Sequence, residues 1–122
     1  MNELLALRPF LPAKDMAKSI AFYEALGFRV THRDDTIAIM KLDSFSFILQ
    51  NYYVQEWAEN TMLQMMVRDV EPWWAATVNA EKLVAEFGVR EPRAPEMQKW
   101  GLIVGFIFDP SGVLWHVAEA PF

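Results

Sequence analysis

Short runs of alternating apolar and polar residues are twice interrupted by a helical spacing, and the second half of the chain repeats the order of the first. In the first half Met16, Ile20 and Tyr23, with Ser19, Phe22 and Leu26 beside them, recur at three- and four-residue intervals, the spacing of one helix face. Asp15 ahead of the run predicts an N-cap, and Gly27 behind it a left-handed terminator. In the second half Val70, Trp73, Trp74, Val78, Leu83 and Phe87 repeat the pattern over a longer helix, between Asp69 as cap and Gly88 as terminator. Pro72 falls in the first turn, where its missing N–H is not needed.

A strand precedes each helix, at 6–11 and 62–67, and three follow it. These are placed at 29–32, 37–41 and 45–51 in the first half, and at 89–91, 102–108 and 113–118 in the second. Residues 92–101, with two prolines and a glycine, read as a loop. The pattern predicts an α+β domain over residues 1–122, built from two βαβββ modules at about 5–53 and 61–119. One helix cannot cover both faces of a four-stranded sheet. The two sheets must share a surface or pair with those of a second chain.

Composition narrows the function classes. The 122 residues carry a net charge of −5, which argues against a nucleic-acid partner, since a phosphate-binding surface needs clustered Lys and Arg. There is no cysteine, hence no disulfide, thiolate nucleophile or Cys-ligated metal. No apolar run approaches the roughly 20 residues that span a bilayer, and MNELLALRPF lacks the basic and apolar regions of a signal peptide. The expectation is a cytoplasmic protein without a membrane partner. No nucleophile–base pair, Gly-rich phosphate loop or carboxylate dyad stands at a recognisable spacing.

The conspicuous chemistry lies in GFIFDPSGVLWHVAE, residues 105–119. Asp109-Pro110-Ser111-Gly112 suits a type I turn, with the Asp bonding its own backbone, and so predicts a hairpin whose second strand carries His116. His32, the other histidine, falls beside the turn at Asp34-Asp35.

With SIAFYEALGF (19–28) and the duplicated plan, WGLIVGFIFDPSGVLWHVAE (100–119) resembles the glyoxalase, bleomycin-resistance and extradiol-dioxygenase superfamily, over nearly the whole chain. The resemblance implies a curved mixed sheet around a cup, with helices on its outer face. In metal enzymes of that family the first strand of each module supplies a ligand, and the last strands supply carboxylates. Here those places hold Arg8, Met62 and His116. A guanidinium cannot ligate, and a thioether is a poor ligand for hard cations. The pattern is similar to the metal-free bleomycin-resistance branch, whose members are dimers that sequester a drug.

The resemblance thus implies a homodimeric binding protein without a cofactor, taking a cationic or aromatic small molecule through Arg8, Gln50, Met62, Gln64, Trp100 and His116. Each has a plainer alternative. His116 could bond a neighbour, and Arg8 could pair with an internal acid such as Glu119. Gln64 shares the face of Met62 and would be a polar anchor. Trp100 stands on a loop, where it could stack on a ligand. Tyr53 and Trp57, between the modules, fit a dimer interface better, and Met62, Met65, Met66 and Met97 would form a soft lining. Glu56, Glu59, Glu91 and Glu96 flank the aromatic loops and could draw in a cation. The alternative function is a metal-dependent lyase or dioxygenase with displaced ligands, His116 joining Gln50 or Glu119.

Overall fold

The computed structural model describes residues 2–122, over which the duplicated pattern becomes two mixed four-stranded sheets. The first module contains β1 (Phe10–Pro12), α1 (Met16–Ala25), β2 (Arg29–Arg33), β3 (Ile37–Leu42) and β4 (Phe45–Gln50). A short helix, α2 (Gln55–Glu59), leads into β5 (Met62–Val67), α3 (Val70–Thr77), α4 (Ala80–Phe87), β6 (Arg93–Met97), β7 (Ile103–Phe108) and β8 (Leu114–Glu119). The strand orders β1-β4-β3-β2 and β5-β8-β7-β6 are the same topology twice. In each sheet the strand before the helix pairs in parallel with the last strand, and the other pairings are antiparallel.

Helix α1 begins where expected: the Asp15 carboxylate accepts the Lys18 N–H. It ends in a left-handed Gly27 at φ 99°, while the Phe28 N–H reaches back to the Tyr23 carbonyl at 3.0 Å. That pairing needs a residue free to adopt positive φ, which favours glycine. The long second helix predicted from periodicity is instead two helices. Val78 is extended, and the Asn79 side chain caps α4 by accepting the Lys82 N–H. Two β-branched residues followed by Asn favour a break at this point over another turn.

Asp69 also departs from expectation. It has the backbone of an N-cap but no side-chain cap bond. The Val70 N–H is taken by Glu119 Oε1 from β8 at 3.2 Å, which puts a carboxylate at the helix start from a different element. The first strand is confined to Phe10–Pro12, and the strand expected at 89–91 lies at Arg93–Met97, inside the stretch read as a loop. Pro95 is tolerated there because β6 is an edge strand.

Each sheet turns one face to the helices. Ala38, Met40, Phe47 and Leu49 do so in the first sheet, and Ile107, Trp115 and Val117 in the second; all belong to one buried core with Ile20, Phe22 and Tyr23 of α1. Trp115 crosses from the second module, its ring 5.5 Å from Phe47 and 5.9 Å from Tyr23. Phe22 of α1 meets Phe87 of α4 edge to face. Gly105 lets Trp74 of α3 lie flat on β7, since a Cβ there would come within 2.5 Å of the indole.

A buried polar chain runs through this core. The Tyr23 hydroxyl donates to Asp109 Oδ2 at 2.7 Å and accepts the Trp115 indole N–H at 2.9 Å. Asp109 Oδ1 accepts the N–H groups of Ser111 and Val113, closing the hairpin turn. The Ser111 hydroxyl accepts the Lys14 N–H from the other module. Burial, opposed by these hydrogen bonds, pushes the Asp109 carboxyl above its ordinary 3.8. Burial and then the neighbouring carboxylate push the Tyr23 phenol up.

Replacing Tyr23 with Phe strands both a buried acceptor and a buried donor, so a urea melt should show a loss of about 1–3 kcal/mol or more. Because the Asp109 pKa is higher folded than unfolded, its contribution is complete below the unfolded value and is lost as pH rises through the folded one. The stability advantage of the wild type over Asp109→Asn should therefore shrink from acidic to neutral pH in parallel melts; a gap that widens would contradict the assignment.

Candidate functional site

Several of the candidate side chains gather on the face of the second sheet turned away from the helices. On the second sheet, register sets Met62 opposite Leu114, Gln64 opposite His116, and His116 opposite Phe106. Directly paired residues project on the same side, so Met62, Gln64, His116 and Phe106 share one face. The Phe106 ring stands edge-on to His116 at 4.9 Å, and Trp100 lies beside it at 6.4 Å. Met62 is 65% exposed and Trp100 58%, although both are large and apolar. The His116 side chain is half-buried and makes no protein hydrogen bond among the described residues. A row of polarisable and aromatic groups around an uncommitted imidazole can stack on a flat molecule and give or take one hydrogen bond.

Beside this face, across edge strand β5, runs a groove of about 780 Å3. Phe47, Leu63, Met65, Trp73 and Trp115 form its apolar part, while Arg8, Lys41 and Ser46 stand among its polar lining. That volume is of the size that takes a drug-sized molecule, roughly 300–1,000 Å3. Gln64 lines the groove as well as belonging to the open face, so the two regions adjoin.

Four of the six residues expected in the site, Met62, Gln64, Trp100 and His116, thus come together. Arg8 does not pack on His116 or pair with Glu119. Its Nε donates to Ser46 Oγ at 2.9 Å, and Glu119 is engaged at the start of α3. Gln50 lies at the far end of β4, opposite Ile37, and lines neither region. Sequence reasoning missed Lys41, Ser46 and Trp73. The first two face each other across the tight Asp43-Ser44 turn, a pairing that the hairpin pattern alone would have revealed.

The remaining candidates have local explanations. Asp34 accepts the N–H groups of Ile37 and Thr36 and contacts His32 Nε2, and these bonds, the backbone ones first, hold its carboxyl below the usual range. Tyr53 lies under the Lys14 ammonium at 5.3 Å, and Trp57 of α2 lies tilted against Tyr52, the rings 6.2 Å apart. Among the described residues no three His, Cys, Asp or Glu side chains converge on a point that would hold a metal ion. With Arg8 just ahead of β1 and Met62 on β5, the donor set does not fit the metal of the family's enzymes. No helix among the described residues is long and apolar enough to cross a membrane.

The sequence model of the Glyoxalase/Bleomycin resistance protein/Dioxygenase superfamily matches residues 5–117. A bleomycin resistance protein of Klebsiella pneumoniae is 28% identical, the match covering 91% of this chain and 89% of that one. A bleomycin-binding protein solved in complex with bleomycin superposes with a TM-score of 0.77 at 23% identity, over 93% of this chain and 97% of that one. The bleomycin-binding protein of Streptomyces verticillus, in complex with copper(II)-bleomycin, gives 0.76 at 22% identity, over 98% and 99%.

Two tryptophans separate site from scaffold. Trp100→Ala should leave stability within about 0.5 kcal/mol, while Trp115→Ala should cost about 3–5 kcal/mol, both read from chemical denaturation. Equal losses would place Trp100 in the scaffold.

Proposed function

The chain belongs to the glyoxalase/bleomycin resistance protein/dioxygenase superfamily, and from that premise we propose that it binds a small molecule of the bleomycin type stoichiometrically and without a metal of its own. The observation that carries this is the open face of the second sheet, where Trp100, Phe106 and Met62 surround a His116 that no protein group engages. Gln64 stands beside the imidazole in register and offers both a donor and an acceptor. Arg8 contributes from the adjoining groove. The resistance-type relative and the two bleomycin complexes with the same fold support bleomycin as the first molecule to test.

The working form we propose is a homodimer in the cytoplasm. Leu4 ahead of β1 is 80% exposed, Tyr52 between the modules 57% and Phe122 91%, and none of them lines the groove. Apolar surface of this extent supports burial against a second copy.

Isothermal titration with bleomycin should give saturable heat at one drug per chain, and light scattering should give twice the chain mass of 14.1 kDa. His116→Ala and Trp100→Ala should each weaken binding about tenfold, as loss of one well-made contact of about 1.4 kcal/mol requires. Absence of heat at any drug concentration would overturn the assignment.

A further inference from the structure

The first sheet carries a feature that capture of a cation does not call for. Arg29 on β2 is the direct register partner of Lys41 on β3, and Lys41 is the partner of Ser46 on β4. Arg8 completes the row by donating to the Ser46 hydroxyl from the edge of the sheet. Three cations therefore lie in line across the strands, on one face, in a chain whose net charge is −5. Like charges directly opposite each other on paired strands are destabilising. None of the three has a carboxylate within 4.0 Å, the ion pairs among the described residues being His32–Asp34 and Lys82–Glu86.

Two of these cations, Arg8 and Lys41, line the groove, with the hydroxyls of Ser44, Ser46 and Thr31. One acid, Asp43, lines it too. The groove therefore has a cationic, hydroxyl-rich end, and Leu63, Met65, Trp73 and Trp115 supply apolar surface along the same space. A guanidinium offers a fork of donors, an ammonium a point charge, and a hydroxyl a further donor, which together match an oxyanion.

We infer that the groove takes an amphipathic anion, an aromatic or aliphatic body bearing a carboxylate, sulfonate or phosphate, whose charged group sits between Arg8 and Lys41 while its body lies along Leu63, Met65 and Trp73. This rests on the proposed binding function and specifies a ligand class for the groove beside the open face. The anion offsets the repulsion of the cation row, and the apolar body displaces water from the tryptophans.

A matched pair of probes tests it. Anilinonaphthalene sulfonate carries the anionic group, and phenylnaphthylamine has the same ring system without it. Fluorescence titrations of both, with bleomycin titrated in parallel, are run on the wild type, Arg8→Gln, Lys41→Gln and the double variant. The sulfonate should bind the wild type more tightly than the neutral probe. Each single variant should weaken the sulfonate about tenfold or more and leave the neutral probe unchanged, which also reports that the fold is intact. Equal affinity for the two probes, or sulfonate affinity unmoved in the double variant, overturns the inference while bleomycin binding stands. If neither probe nor bleomycin binds the wild type, the binding function fails and the inference fails with it.

Discussion

The Tyr23 hydroxyl is the point on which the arrangement of the two modules depends. It sits on α1 of the first module, donates to Asp109 at the turn of the last hairpin, and accepts from Trp115 on the strand that follows. A buried hydroxyl, carboxylate and indole each carry a cost if left unpaired; here each satisfies another across the module boundary. Edge-to-face and tilted aromatic contacts among Tyr23, Phe28, Phe47 and Trp115 fill the space around them. Because the modules meet through the helix-facing sides of their sheets, the opposite side of the second sheet is left with Met62, Gln64, Phe106 and His116. The open face bearing His116 is a consequence of where Trp115 must go. Adjacent residues on a strand point to opposite sides, so committing Trp115 to the core turns His116 outward.

How much of this was legible in the sequence follows from which interactions are local. The βαβββ duplication, the Asp15 cap, the β5 strand and the Asp109 turn all rest on spacing or on side chain–backbone bonds over a few residues, and these could be read directly. The division of the second helix at Val78 could not, because its periodicity continues through the break. The missing Asp69 cap bond could not either, because its replacement comes from Glu119, distant in sequence. In the site, alternation correctly grouped Met62 with Gln64. The partner of Arg8 was misjudged, since Ser46 meets it only through the parallel β1–β4 edge, a long-range pairing that no local pattern encodes.

The two ligand-facing regions differ in chemistry. The face of the second sheet gathers aromatic, thioether and imidazole groups, with Arg93 of β6 in register beside Phe106. The groove beside it is cationic at one end and apolar along its length. Edge strand β5 belongs to both, through Gln64. A ligand with a flat body and an acidic substituent would engage both regions at once, whereas a purely cationic one would be confined to the aromatic face and would gain nothing from Arg8 or Lys41.

The most direct measurement is a crystal structure of the chain grown with bleomycin. The drug should lie on the face of β5, β8 and β7, in contact with His116, Gln64 and Trp100, with the Tyr23–Asp109–Trp115 chain intact beneath it. Drug density confined to the outer surfaces of α1 and α4, with the His116 face bare, would contradict the assignment of that face as the binding surface.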